Sequence, residues 1–288
     1  MKFDEDFSKN PDQSEREGDS SSPISTVSPP PEERFHDVDI KYLSKPKVWP
    51  QILASMQHFT TGLFGGICFE FTSVAIPSFI KDPRTEPLNE DSISMIVSSF
   101  YLGTIFGYFL GAYVAEKLPK RIVLLATLFP MAATWTPFFF ITPVAFMVLG
   151  RVLQGVVFGA RTNLSHAYIM EIADKTNRDW AISTYSLAIS VGTLGAALLG
   201  EFLRWDHLAM ISAGTNILIF PLIYILPETP VYYVRKGDSD SARKSLTWYR
   251  GHLFNVDQEL TEIKSYLSVD KTTFSWKSLT KWIRRENR

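Results

Sequence analysis

Residues 150–178, GRVLQGVVFGARTNLSHAYIMEIADKTNR, form a mostly apolar run that nevertheless carries ionisable side chains. The run is long enough for a helix that crosses a membrane, which needs about 20 apolar residues. Ionisable side chains inside such a helix are costly and normally face a packed polar partner or a water-filled cavity. We therefore predict a membrane helix with functional polar groups, and these groups are Arg151, Arg161, His166 and Glu171.

Six segments of this length occur in the 288 residues, of which 45% are hydrophobic and 14% aromatic. Short loops separate several of them, so the chain is expected to turn tightly at each membrane face. The pattern predicts an all-α membrane protein with a six-transmembrane-helix bundle at residues 47–230. The predicted spans are 51–80, 94–116, 121–141, 143–167, 180–202 and 206–227.

The positions of basic residues indicate how these spans are oriented, because Lys and Arg favour the cytosolic loops of membrane proteins. Basic residues precede the first span, separate the second from the third and the fourth from the fifth, and recur after the sixth. A multi-pass protein with both termini in the cytosol is therefore expected, and an even number of spans agrees with that orientation.

Two regions outside the bundle are expected to lie on the cytosolic side. Residues 1–46 are rich in Ser, Pro, Asp and Glu and have few apolar residues, so they are predicted to be a disordered tail. Residues 231–288 are predicted to form short amphipathic helices. Asp238 is a favourable N-cap for one of them, and Val256 and Leu260 begin the apolar stripe of the next.

Small residues recur at every fourth position in two of the predicted spans. This spacing lets helix backbones approach closely, and we expect these residues to serve packing. They are Gly103, Gly107 and Gly111 in the second span and Gly192, Ala196 and Gly200 in the fifth.

Four motifs, in the same order, resemble the sugar porter family of the major facilitator superfamily, and especially the arthropod facilitated trehalose transporters. They are GAYVAEKLPKR, GRVLQGVVFG followed by AYIMEIA, NRDWAIS, and PETP with the segment after it. The resemblance implies the N-terminal six-span half of a major facilitator fold. It also implies membrane transport of a sugar, trehalose or a hexose, by facilitated diffusion through alternating access.

The sequence departs from the family pattern at several positions. His166 stands where the family has a proline, and Asp179 replaces the glycine after Arg178. Ser186 stands where many hexose porters have a sugar-binding glutamine, which weakens a simple glucose assignment. Ile67 stands where proton-coupled members have an aspartate, which favours facilitated diffusion.

Acidic and basic residues gather near the ends of the predicted spans, where the family uses polar contacts. Charge-assisted bonds between them would be geometrically specific, and helix rearrangement would break them. We expect these residues to form gating salt bridges, with anchoring at lipid headgroups as the alternative. They are Glu116, Lys117, Lys120, Arg121, Arg151, Glu171, Arg178 and Glu228.

Glu70 lies in the first span, where an acidic side chain is costly. Counted at about 1.5 Å per residue from the cytosolic ends, Glu70 lies about 27 Å up, Arg151 about 30 Å and Arg161 about 15 Å. Depth therefore favours Arg151 as the partner of Glu70. A coupling or cavity charge in an outward vestibule is the alternative.

Sugar recognition requires hydrogen-bonding groups beside aromatic walls, and the spans offer both. Gln154, Arg161, Asn163 and Ser186 are the substrate-binding candidates. Arg161 is the candidate favoured for lining the permeation route, whereas His166 is expected only to fill the site of the missing proline. Further polar groups in this half are Gln51, His58 and Thr60.

The sequence contains no nucleophile–base constellation, phosphate-binding loop or metal-ligand spacing, so neither an enzyme nor a cofactor is predicted. The expected partners are the lipid bilayer and a small-molecule sugar, without nucleic acid, and the family implies the plasma membrane. One hypothesis is a transporter half, whether a fragment or shortened isoform, that pairs with a second six-span half or with itself. The alternative is a truncated, non-transporting membrane subunit that binds or regulates a full-length transporter.

Overall fold

The computed structural model describes residues 47–81, 87–140, 143–174, 176–252 and 254–273. The predicted tail at 1–46 and the end of the predicted cytosolic region at 274–288 lie outside these residues. Regular secondary structure in the described part is helical. The helices are α1 Val48–Lys81, α2 Glu90–Lys117, α3 Lys120–Ala126, α4 Leu128–Ala133, α5 Pro137–Phe140, α6 Val144–Ile172, α7 Arg178–Phe202, α8 Trp205–Leu218, α9 Phe220–Ile225, α10 Pro230–Lys236, α11 Ser239–Arg250 and α12 Val256–Thr273.

In the described part, five segments are long and apolar enough to cross a membrane: α1, α2, α6, α7 and Trp205–Ile225, which comprises α8 and α9. The predicted third span at 121–141 is instead divided into α3, α4 and α5. Pro130 and Pro137 explain the division, because a proline lacks the N–H that would bond the carbonyl four residues earlier. Pro221 interrupts the last span in the same way, between α8 and α9.

Helices α2 and α6 pack backbone against backbone along a seam of glycines. A Cβ atom added to Gly107 would overlap the Val156 carbonyl oxygen, and one added to Gly155 would overlap the Phe100 carbonyl oxygen. Only residues without a side chain permit this approach. The same contact recurs at Gly103, Gly111 and Gly159.

Helices α1 and α7 form a second seam of the same kind. A Cβ atom on Gly66 would overlap the Ile189 carbonyl oxygen, and one on Gly192 would overlap the Leu63 carbonyl oxygen. Toward the far end of the seam, Gly200 packs against the Val74 side chain. The small residues predicted to serve packing therefore lie in the two helix pairs that build the bundle.

The end of the bundle at which α1 begins and α6 ends is called here the basic end. Helices α10, α11 and α12 pack there, and the Lys47 N–H donates to the Arg250 carbonyl at 3.0 Å. Asp238 caps α11, since its carboxylate accepts the Ser241 N–H at 3.0 Å. Sequence reasoning missed α10, although Thr229 caps it and Gly237 ends it with a left-handed φ of 81°.

We predict that Gly107→Ala destabilises the protein by about 1–3 kcal/mol, because the added methyl group overpacks the α2–α6 seam. Thermal unfolding in detergent, followed by fluorescence, measures this loss as a lower midpoint. Gly195→Ala is the matched control, since a Cβ atom there meets nothing within 4 Å. Equal midpoints for the two variants would contradict the seam as a stability determinant.

Candidate functional site

Arg151 is buried among uncharged partners in the half of the bundle away from the basic end. Its guanidinium donates to the Thr72 hydroxyl at 2.6 Å, to the Cys68 carbonyl at 3.0 Å and to Gln154 Oε1 at 2.6 Å. It also lies over the Phe100 ring, 4.5 Å from its centroid. An arginine resists neutralisation, so its burial is compensated by oxygen dipoles and a ring face.

The predicted pairing of Glu70 with Arg151 is wrong. Arg151 reaches the level of Cys68 and Thr72, which bracket Glu70 along α1, so the estimated depth was correct. Residues two positions apart, however, point to nearly opposite sides of a helix. Glu70 is half-buried on another side of α1, and among the described residues no ion pair joins it to an arginine.

Arg161 points into the bundle and not toward an accessible surface. Its side chain is 1% exposed, and its Nη1 donates to the Leu124 carbonyl at 3.2 Å and to the Thr127 hydroxyl at 3.1 Å. These acceptors lie at the junction of α3 and α4. Arg161 therefore stabilises the interrupted third segment, and its Nε and Nη2 have no hydrogen-bond partner in the described part of the chain.

The other substrate-binding candidates are dispersed. Gln154 is fully buried and is bonded to Arg151. Asn163 is half-buried beside Gly111, and Ser186 is exposed on α7. These candidates do not converge on one point.

A compact group of polar and aromatic side chains joins the helix pairs at a level between the basic end and the middle of the bundle. The His58 Nδ1 lies 2.7 Å from the Ser165 hydroxyl, and the His58 ring stacks on Tyr185 with centroids 5.2 Å apart. His166 contacts both rings edge-on, with centroid distances of 4.6 Å. The Tyr185 hydroxyl of α7 donates to the Thr162 hydroxyl of α6 at 3.4 Å, and the Tyr108 phenol of α2 lies near that of Tyr185.

This group, called here the polar–aromatic layer, consists of His58, Tyr108, Ser165, His166 and Tyr185. Sequence reasoning missed its convergence, because its members come from four helices and show no common spacing. Their residue types were the available signal: imidazole and phenol groups within spans are unusual enough to suggest a shared role.

A row of polar side chains runs along α7 on a side that does not face α1. Its exposed members are Asp179, Ser183, Ser186, Ser190 and Glu201, which are separated by 4, 3, 4 and 11 residues and therefore lie near one helical face. The Ser183 and Ser190 hydroxyls donate to carbonyls one turn earlier. This α7 polar row is poorly suited to lipid and suits water or a protein partner.

At the basic end, Glu228 joins the start of α3 to the segment after α9. Its two carboxylate oxygens accept the Lys120 N–H at 3.0 Å and the Arg121 N–H at 2.9 Å. Burial raises the pKa of Glu228, and the N–H donors with the Lys120 charge partly offset that rise. Glu228 thereby satisfies backbone donors that the first turn of a helix leaves free.

Lys120 extends this connection to the end of α6. Its Nζ lies 3.0 Å from Glu171 Oε1, with both side chains largely buried. Glu171 Oε2 is buried without a partner among the described residues, and the same holds for Arg178 Nε. Part of the predicted salt-bridge set is therefore assembled, while these two groups retain free bonding capacity.

Of the remaining predicted gating residues, Lys117 and Glu116 lie outside this network, and Arg121 joins it only through its backbone N–H. Lys117 donates to the Tyr113 hydroxyl at 2.5 Å and lies over the same ring. Arg121 Nη2 donates to the Tyr224 carbonyl at 2.5 Å. Glu116 is exposed, and no ion pair to it occurs within the described ranges.

Arg250 connects α11 and α12 to the bundle. Its guanidinium donates to the Ile172 carbonyl at 2.7 Å and forms a two-pronged pair with Glu259, including an Nη2–Oε1 distance of 2.6 Å. Nearby, the Tyr168 and Tyr249 hydroxyls both bond to the Pro227 carbonyl. The helices after the last span are therefore fixed against the ends of α1 and α6.

Comparison with known proteins identifies the family. A family model described as "Sugar (and other) transporter" matches residues 48–287. The chain belongs to this sugar transporter family. It is therefore a multi-pass membrane protein from a family of transporters and not an enzyme.

Individual relatives of the chain agree with this family assignment. The facilitated trehalose transporter Tret1 of Aedes aegypti is 29% identical over 227 residues, covering 78% of this chain and 28% of that protein. Tret1 of Bombyx mori is 28% identical over 227 residues, covering 78% and 44%. The chain thus spans less than half the length of these relatives.

The solved structures show the same fold. A partially occluded, inward-open structure of the xylose transporter XylE from E. coli matches with a TM-score of 0.66 and 20% identity, covering 76% of this chain and 60% of that one. This likeness concerns the fold alone. The bundle is the N-terminal half of a major facilitator fold.

We predict that Glu228→Gln lowers stability by about 1–3 kcal/mol, because the new amide NH₂ group faces backbone donors where a carboxylate oxygen accepted them. Thermal unfolding in detergent is the measurement. Glu116→Gln, which changes an exposed carboxylate without an ion pair among the described residues, is the control. An unchanged midpoint for Glu228→Gln would show that this connection contributes little to stability.

Proposed function

We propose that the chain supplies the N-terminal half of a sugar transporter that moves trehalose or a hexose by facilitated diffusion through alternating access. The observation that carries this proposal is the match of the sugar transporter family model from residue 48 to residue 287. Trehalose is included in the proposal because the relatives are named as facilitated trehalose transporters. Hexoses are also included because the description of the family model is not limited to one sugar.

A second six-span half is the proposed partner. In solved and curated relatives the matching region is only part of a longer chain. The α7 polar row supports the proposal from within this chain, because lipid is a poor environment for Asp179, Ser186 and Glu201. A second copy of the chain is the other candidate for this position.

Glu171 and Arg178 are proposed to complete the gate with that second half. Each keeps a buried bonding atom without a partner among the described residues, and both lie at the basic end. Buried charged groups are strongly destabilising unless they are paired, so a partner residue that pairs with them in one conformation would favour that conformation. The Lys120–Glu171 pair would hold one side of the gate.

Facilitated diffusion is proposed over proton coupling for two reasons. Ile67 stands where proton-coupled members have an aspartate, so that position offers no titratable group. Arg151 bonds to neutral oxygens, and no ion pair links it to a carboxylate among the described residues. Arg151 therefore has no carboxylate partner among the described residues that a proton could neutralise.

We predict saturable uptake of labelled trehalose or glucose into proteoliposomes that hold this chain together with the C-terminal six-span part of Bombyx mori Tret1. Uptake should equilibrate without accumulation, both with and without a pH gradient, and Glu70→Gln should behave in the same way. Accumulation driven by protons and lost in Glu70→Gln would contradict facilitated diffusion.

The chain by itself is the control for this experiment. Uptake by the chain alone would favour pairing of two copies over a separate second half. Absence of uptake in both preparations, with a full-length Tret1 active in parallel, would contradict the transport proposal. The non-transporting regulatory subunit would then be the better account.

The basic end is proposed to face the cytosol at the plasma membrane, because basic residues concentrate there. We predict that, in a Cys68→Ser background, a membrane-impermeant maleimide labels Pro87→Cys in intact cells. Lys236→Cys should be labelled only after permeabilisation. The reverse pattern would contradict the orientation, and labelling of neither position in intact cells would contradict the plasma-membrane location.

A further inference from the structure

The polar–aromatic layer is the part of the described bundle where hydrogen-bonding and aromatic side chains of α1, α2, α6 and α7 converge. The two glycine seams join α2 to α6 and α1 to α7. Tyr108 belongs to α2 and Tyr185 to α7, and their phenol groups lie near each other. The His166 ring of α6 contacts the Tyr185 ring, with centroids 4.6 Å apart. The layer therefore lies on the side of α6 that is flanked by both α2 and α7.

Some hydrogen-bonding groups of this layer remain able to bond a ligand. The His166 Nδ1 lies 2.9 Å from the Thr162 carbonyl, which can only accept, so Nδ1 carries the proton. Nε2 has no hydrogen-bond partner among the described residues; on this half-buried side chain it accepts when the imidazole is neutral and donates when it is protonated. Tyr108, which is 41% exposed, adds a phenol that both donates and accepts.

The chemistry of these free groups selects a class of ligand. The layer offers donors and acceptors together, and its members include no Asp, Glu, Lys or Arg. A neutral ligand with many hydroxyl groups satisfies both kinds of site without burying a charge, whereas an ion would lack a counter-charge here. A sugar matches these requirements.

An aromatic wall lies farther from the basic end on the same side of α2. Tyr101 precedes Tyr108 by two helical turns, about 10 Å along the axis. Its ring stacks on Phe69 of α1 with centroids 5.9 Å apart, and Tyr101 is 50% exposed. Small-molecule sites commonly combine such apolar aromatic faces with a few placed polar groups.

We propose that Tyr108, His166 and Tyr185 form a sugar-binding subsite of this half, with Tyr101 and Phe69 as its aromatic wall. This inference rests on the proposed transport function but names residues beyond the candidates expected from sequence. His58 is a positioning residue, because it is fully buried and holds the Tyr185 ring through stacking while its Nδ1 is anchored by Ser165.

Equilibrium binding of labelled trehalose and glucose to the purified chain, alone and with the second half, tests the subsite separately from transport. Tyr185→Phe and His166→Phe keep a ring but remove hydrogen-bonding groups, so each is expected to raise Kd about tenfold. Tyr101→Leu removes the aromatic face and is expected to raise Kd as well.

Matched controls separate this effect from general damage. His207→Gln and Tyr266→Phe change exposed side chains far along the chain from the layer and should leave Kd unchanged. All variants are compared for thermal midpoint and elution volume. In reconstituted vesicles, the layer variants should raise KM with little change in the maximal rate, which a merely structural role would not produce.

The outcomes distinguish the subsite from the function. Transport with unaltered KM and Kd in well-folded layer variants would overturn the subsite and leave the proposed function intact. Sugar binding that the layer variants weaken, without transport, would support the subsite and overturn transport. Absence of saturable sugar binding in both preparations would overturn the subsite, and only the uptake experiment would then decide the function.

Discussion

The close backbone contact within two helix pairs is the constraint on which the rest of this structure depends. At Gly107 and Gly155, and again at Gly66 and Gly192, a single added carbon would overlap a carbonyl oxygen of the partner helix. Membrane helices gain little hydrophobic free energy from association, so packing at such short range is a main source of attraction between them. The two pairs, α2–α6 and α1–α7, fix the rotation of these four helices and hence the side of each helix on which its polar residues lie.

That fixed rotation determines how the bundle accommodates its buried charges. Arg151 faces the carbonyl and hydroxyl oxygens of α1, and Arg161 faces the junction of α3 and α4. Neither has a carboxylate partner among the described residues, so each is held by dipoles within the core. A buried salt bridge lies instead at the basic end, where Lys120 meets Glu171, and Glu171 Oε2 and Arg178 Nε there have no partner among the described residues.

The basic end and the polar–aromatic layer are coupled through α6. Glu171 ends this helix in a salt bridge, and His166 lies little more than one turn earlier in contact with Tyr185. Arg250 bonds to the carbonyl of Ile172 at the same helix end. A movement of α6 at the proposed gate would therefore also move the layer, which would link the two as the proposed alternating access requires.

Sequence by itself determined the class of this protein, because span length, basic-residue asymmetry and motif order are local properties. It also located the packing glycines and the cap at Asp238. Tertiary structure alone decided which side chains meet. Depth placed Glu70 beside Arg151, but rotation about α1 turned it to another side. Arg161 turned inward, and His58, Tyr108, His166 and Tyr185 converged without any common spacing. Rotation and convergence depend on contacts between distant segments, and no pattern within one helix encodes them.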